Sequence, residues 1–216
     1  MTIILMSDPS VAAIPVEDCG EPLVDVRQDG ELLTDTRRSD PVGAFAHLRQ
    51  GVRDRLLDAQ RRLPDGLRLL IVEGYRPPDL QQTYFERYSA QLRATNQNWT
   101  QQEIRVAASR YVSPPEIAPH SAGSAVDLTL VDRTGAELDM GTAMNANPEN
   151  SENACYTGAH NISARAKANR TTLSNAISEA GLVNYLTEWW HWSYGDRYWA
   201  LQTKQPAALY GPIELP

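Results

Sequence analysis

The segment PHSAGSAVDLTL, residues 119–130, constrains this chain more than any other. Residues 124–131, SAVDLTLV, read as a strand that carries Asp127. Gly123 suits a tight backbone approach just before the strand. A turn there brings His120 beside Asp127 on the sheet surface. The residues between them, Ser121 to Val126, are small and leave room for an ion and a substrate.

A second stretch, TEWWHWSYGDRYWA, completes the thought. Glu188 precedes His191 by three positions, which in a straight strand sets the two on opposite faces. They share a pocket only if the chain bends or enters from a loop, and residues 181–187 offer that entry. Trp189, Trp190 and Trp192 are expected to wall the pocket and exclude water. Two neutral imidazoles and one carboxylate make a three-ligand zinc set of the catalytic kind, with a fourth position left for water. Zinc brings that water's pKa to roughly 7. Glu188, a carboxylate outside the ligand set, is the candidate to take the proton. The residues alone also allow a plainer reading, a hydrogen-bonded structural pair.

Arg76, in EGYRPPD, follows a buried strand and sits in a proline-flanked turn. An arginine held there can donate a fork of hydrogen bonds to a developing oxyanion. The plain alternative is a salt bridge with Glu73 or Asp79. The other two histidines read as structural. His47 is expected in an amphipathic helix, and His160 in a local polar or capping role at the end of a loop.

A net charge of −7 and a pI near 5.1 argue against a nucleic-acid binder and against a polybasic membrane anchor. No run approaches the roughly 18 apolar residues of a membrane span. The start, MTIILMSDPS, lacks a basic n-region, so a cytoplasmic chain is expected. Cys19 and Cys155 are two and far apart, so isolated buried thiols are expected rather than a disulfide framework.

The remaining elements follow from pattern. Residues 22–36 alternate around Asp29-Gly30 like a hairpin. Asp40 and Pro41 look like the start of a helix running to residue 63, where Pro64-Asp65-Gly66 stops it. Residues 67–73 read as a strand, LQQTYFERYSAQLRA as a helix, and Thr100 with Glu103 as a capping box opening a short helix that ends near Val112. AELDM, 136–140, reads as a strand, 141–160 as a long loop, and 163–180 as a helix ended by Gly181. Two aromatic strands, 188–193 and 197–202, close the chain. The expected fold is α+β, one domain over residues 1–216 with a central antiparallel sheet flanked by helices.

Taken together, EGYRPP, PHSAGSAVDLTL and EWWHWSYGDRYWA, in this order and spacing, resemble the D-alanyl-D-alanine dipeptidases of vancomycin resistance. These belong to the zinc D-Ala-D-Ala metallopeptidases, related in fold to lysostaphin-type peptidases and the hedgehog domain. The resemblance covers roughly residues 20–205. It implies one zinc ion per chain held by His120, Asp127 and His191, with Glu188 as general base and acid and Arg76 stabilising the tetrahedral intermediate. The implied substrate is a small D-residue dipeptide of cell-wall chemistry, most of all D-Ala-D-Ala. Substrate-binding candidates are Tyr75, Ala118, Asn145 and Trp190.

Two positions depart from the family. A serine two places before the first zinc histidine is Ala118 here, and an aspartate near the substrate amine is Asn145. A neutral amide at the amine forgoes a charge-assisted contact of roughly 1.5–3 kcal/mol, for which Glu149 or Glu152 are possible substitutes. The departures keep two other readings in play: a zinc carboxypeptidase or amidase acting on a larger peptidoglycan or peptide natural product, and a non-catalytic zinc-binding module. The oligomeric state is left open.

Overall fold

The computed structural model describes residues 3–28, 30–36, 40 and 42–215. Its centre is a five-stranded sheet. The chain enters through a short helix α1 (Pro9–Ala12) and strands β1 (Leu23–Asp25), β2 (Leu33–Thr34) and β3 (His47–Arg49). Helix α2 (Gln50–Arg62), strand β4 (Arg68–Glu73), helices α3 (Pro78–Thr95) and α4 (Gln101–Ala108), and strand β5 (Ala125–Val131) follow. Helix α5 (Ala164–Glu179), strands β6 (Val183–Asn184) and β7 (His191–Ser193) and helix α6 (Arg197–Thr203) complete it.

The sheet order is β2-β4-β5-β7-β6. Every pairing in it is antiparallel except β2 with β4. The expected α+β architecture is what the chain adopts.

Strand β5 is buried along its whole length, so both faces are covered. Val126, Leu128 and Leu130, at period two, join the main core with Val52 and Leu56 of α2, Leu173 and Ile177 of α5, and Trp189, Trp190 and Trp192. Asp127 and Thr129 occupy the alternate positions. Helices α3 and α4 pack separately, through Tyr88, Leu92, Ile104, Ala107, Ala108 and Val112.

Several expectations change. Residues 22–36 do not form a hairpin, and Asp29 lies outside the described residues. β1 pairs with β3 in a separate two-stranded sheet, while β2 joins β4. The helix expected from Asp40-Pro41 begins only at Gln50; Pro41 lies outside the described residues. Asp40 instead accepts from Phe45 N at 2.6 Å over a 3-10 turn, and Val42 is 67% exposed. His47 is therefore a strand residue, with its Nδ1 2.8 Å from Gly43 O.

The capping box at Thr100 and Glu103 is present, but its helix ends at Ala108. AELDM contributes a single bridge, Val131 to Glu137, rather than a strand. Residues 197–202, expected as a strand, are helix α6, because Asp196 caps it through Trp199 N at 2.6 Å. Cys155 is buried as expected, whereas Cys19 is exposed. His160 is exposed, and its carbonyl accepts from Lys167 Nζ at 2.9 Å. No helix of the described residues is long and apolar enough to cross a membrane.

The burial of Asp196 predicts a pH-dependent cost. The residue is 4% exposed, and burial pushes its carboxyl up to about 6 from 3.8, against the pull of the Trp199 amide. Between these values the folded state holds the proton more tightly than the unfolded chain does. Stability therefore falls as pH rises through that window, by about 3 kcal/mol in total. Asp196→Asn keeps a cap acceptor and removes the charge. Its Tm should exceed the parent's at pH 8 and match it at pH 4; an equal or lower Tm at pH 8 would show that the charge is not a liability.

Candidate active site

The register of the sheet assembles the site. Glu73 of β4 lies opposite Asp127 of β5, and Asp127 lies opposite His191 of β7. Residues directly opposite across strands share a face, so Glu73, Asp127 and His191 form a row across the sheet. A register shift between Ile71 and Glu73 brings Glu73 into that row.

His120 arrives from a 3-10 turn, Pro119–Ala122, closed by Gly123 at φ +66°. A β-carbon at Gly123 would meet Leu23 Cδ2 at 2.3 Å, so the left-handed turn and the packing both ask for glycine. Arg49, which the sequence reading overlooked, anchors this turn. It is 2% exposed, and its Nε donates to Ala122 O at 2.9 Å while its backbone N donates to Gly123 O at 2.8 Å.

Three donor atoms converge. His191 Nδ1 is 3.0 Å from Asp127 Oδ1, His120 Nε2 is 3.4 Å from the same oxygen, and the two ring nitrogens are 3.2 Å apart. Ligands bound to zinc at about 2.0–2.2 Å in a tetrahedron lie about 3.3–3.6 Å from each other, so this triangle is close to the dimensions of such a set. His120, Asp127 and His191 also form a group able to hold a metal ion. His120 Nδ1 contacts Gly74 O at 2.6 Å, which leaves Nε2 to face the other two donors.

Burial opposes ionisation of Asp127, yet the two histidines hold its carboxyl well below the usual range. Burial pushes His191 down, toward the neutral ring that metal binding requires, although Asp127 pulls the other way.

Glu188 resolves the spacing question by a bend. It sits in a turn, with Glu188 N bonded to Tyr185 O at 2.8 Å and His191 N to Glu188 O at 3.3 Å. The turn swings its Oε2 to 3.9 Å from His191 Nδ1. Burial and then the Asp127 charge push the Glu188 carboxyl well above the ordinary range, with Arg76 pulling it back.

Arg76 is held by two buried groups. Nε donates to Glu73 Oε1 at 2.5 Å and Nη1 to Gln81 Oε1 at 2.7 Å. Gln81 Nε2 donates to Ser113 O at 2.7 Å, which orients its amide oxygen toward the arginine. The Glu73 salt bridge, offered above as the plain alternative, is thus present and serves to aim the guanidinium.

These groups open into a cleft of about 390 Å³ lined by Arg76, His120, Asp127, Glu188 and His191, by Tyr84, Arg87, Tyr88 and Gln91 of α3, and by Asn145 and Asn147 of the long loop. That volume is in the range of small-ligand sites. Of the four substrate-binding candidates, only Asn145 reaches the cleft. Tyr75 is buried and donates its hydroxyl to Ile213 O at 2.7 Å. Ala118 is buried outside the lining, and Trp190 lies in the main core. The three tryptophans therefore support the site from beneath and do not wall it.

Glu149 is spent on Tyr88 and Arg110, and Glu152 is exposed at φ +50°. The loop itself is tied down by Arg170, which donates to the carbonyls of Met140, Ala154 and Tyr156 at 2.6–2.8 Å. The cleft face of α3 was missed in the sequence. Its signal is Tyr84, Arg87, Tyr88 and Gln91 at helical spacing directly after GYRPP.

Known proteins resemble this chain over most of its length. Residues 49–207 match the family model described as D-ala-D-ala dipeptidase, Peptidase M15. The D-alanyl-D-alanine dipeptidase of Synechocystis sp. is 31% identical over 236 aligned positions, covering 94% of this chain and 96% of that protein. The D-alanyl-D-alanine dipeptidase of Enterococcus faecium is 31% identical over 61% of this chain and 64% of that protein. Among solved structures, the LD-carboxypeptidase LdcB aligns with a TM-score of 0.49 at 18% identity, covering 94% of this chain and 86% of that one. With the family model spanning most of its length, the chain belongs to the D-Ala-D-Ala dipeptidase family of peptidases and is a metallopeptidase.

Proposed function

We propose that this chain is a zinc-dependent dipeptidase that hydrolyses a small D-residue dipeptide, D-Ala-D-Ala foremost. The observation that carries the reading is the triangle of His120 Nε2, Asp127 Oδ1 and His191 Nδ1 at 3.0–3.4 Å, with the Glu188 carboxylate 3.9 Å away. The names of the two dipeptidase relatives support the substrate class. Two imidazoles and a carboxylate suit zinc among the divalent ions.

A divalent ion held there supplies Lewis acidity at a peptide carbonyl and an acidified water, with a pKa near 7 for zinc. His120, Asp127 and His191 would hold it. Glu188 accepts the proton of the attacking water at a carboxylate oxygen and returns it to the leaving nitrogen. Burial raises that carboxyl above its ordinary range. Arg76, aimed by Glu73 and Gln81, has Nη2 outside those two bonds and donates to the carbonyl oxygen as it gains charge.

A second reading, a carboxypeptidase or amidase acting on a longer peptide, is favoured by one observation. The loop side of the cleft offers the amides of Asn145 and Asn147, and Glu149 is engaged elsewhere. A free ammonium gains no ion pair from these amides, and an N-acylated substrate loses nothing there.

The test is hydrolysis by zinc-loaded protein of D-Ala-D-Ala, N-acetyl-D-Ala-D-Ala and L-Ala-L-Ala. Release of D-alanine from the free D,D-dipeptide, abolished by chelation and restored by zinc, is the expected result. Cleavage of the acetylated peptide alone transfers the assignment to the second reading. Inertness toward all three refutes both.

A further inference from the structure

We propose that Arg87 binds the free carboxylate of the substrate's C-terminal residue, which makes it a specificity-determining residue on the α3 wall of the cleft. The inference rests on the peptidase reading above and narrows it to substrates with an unblocked C-terminus.

The charges around the cleft lead to this residue. Its charged side chains, apart from the histidines, are Arg76, Arg87, Asp127 and Glu188. Arg76 is committed to Glu73, and Asp127 to the two histidines. Arg110, near the loop side, is committed to Glu149. Arg87 pairs with no carboxylate among the described residues. Its guanidinium lies over the ring of Tyr84, 5.1 Å from the centroid. The guanidinium of Arg76 rests on the same ring at 4.9 Å.

One tyrosine therefore carries two cations. The first is tied to the hydrolytic centre and the second points to the open cleft. Stacking on the ring keeps Arg87 ordered while leaving its N–H fork available.

A peptide's terminal carboxylate lies three bonds beyond the carbon of its last peptide bond. With that carbonyl beside Arg76, the carboxylate falls on the leaving-group side, within reach of a neighbouring guanidinium. A bidentate pair there recognises a planar anion and rejects a neutral amide. No other cation of the cleft lining is left to do this. The amides of Gln91, Asn145 and Asn147 bring no charge.

The experiment measures acid against amide. For D-Ala-D-Ala and N-acetyl-D-Ala-D-Ala, each as free acid and as C-terminal amide, kcat and KM are determined for the parent and for Arg87→Gln, Arg87→Lys and Arg87→Glu. The parent should prefer acid over amide by at least tenfold in kcat/KM, expressed mostly in KM. Arg87→Gln should reduce that preference at least tenfold, Arg87→Lys should restore part of it, and Arg87→Glu should favour the amide. An acid-to-amide ratio unmoved by these substitutions, or a loss confined to kcat, overturns the assignment.

A second measurement does not depend on turnover. Calorimetric binding of the same four compounds to zinc-loaded Glu188→Gln protein, with and without Arg87→Gln, should show the same acid preference and its loss. No binding of either acid, or equal affinity for acid and amide with Arg87 present, overturns the assignment. Failure of the peptidase reading has a different signature: the acids bind through Arg87 and no variant, nor the parent, hydrolyses them.

Discussion

Glu188→Gln should lower kcat by about 10²–10⁴, the usual contribution of a positioned acid–base group, while zinc content stays at one ion per chain. Glutamine matches the shape of the carboxyl group and cannot accept a proton from water. Glu188 approaches His191 Nδ1 only to 3.9 Å and lies outside the tighter triangle of donor atoms, so its neutralisation leaves the triangle intact. Folding should not suffer either. Burial already pushes this carboxyl toward its neutral form, and an amide carries no charge to desolvate. The measurement is kcat on D-Ala-D-Ala together with metal analysis of the same preparation. Turnover within tenfold of the parent would remove Glu188 from the proton path. Loss of metal would move it into the ligand set.

The convergence of the candidate site residues was legible in the sequence because strand arithmetic is local. Asp127 sits in a fully buried strand and His120 just across a glycine turn, so their proximity needed only one turn to be right. The partnership with His191 was harder, because it depends on β5 lying beside β7, a pairing 64 residues apart in the chain that no local pattern announces. The motif resemblance supplied that link.

Errors arose where local pattern had two outcomes. Phe45 and Leu48 fit a helical stripe, yet Asp40 and the pairing of β1 with β3 pull residues 44–49 into a turn and a strand. Residues 197–202 looked like an aromatic strand until the Asp196 cap is taken into account. The aromatic segment 189–192 was read as a pocket wall, but a tryptophan's bulk is satisfied equally by the core, and the core takes all three. The α3 wall was missed because a helix face of Tyr, Arg, Tyr and Gln looks the same in sequence whether it meets solvent or a cleft.

Arg76→Met should fail twice, in folding and in catalysis, and the two failures should separate. Glu73 is fully buried and its carboxylate meets the Arg76 Nε at 2.5 Å. Burial works against the Arg76 charge, and Glu73 is the main group that sustains it. Removing the guanidinium breaks a buried ion pair, a loss of about 3–5 kcal/mol. Replacing both members, as Glu73→Met with Arg76→Met, removes both desolvation penalties, so most of that stability should return. Catalysis should not return with it. If Arg76 donates to the developing oxyanion, both the single and the double variant lack the donor, and kcat should stay about 10²–10³ below the parent. Urea unfolding and kcat on the same three proteins decide the matter. Recovery of kcat in the double variant would reduce Arg76 to a structural partner of Glu73. An Arg76→Met protein as stable as the parent would mean that the pair contributes nothing to the fold. The expected pattern, stability restored and turnover still lost, requires the guanidinium to act on something outside the chain, which in this cleft is the peptide carbonyl.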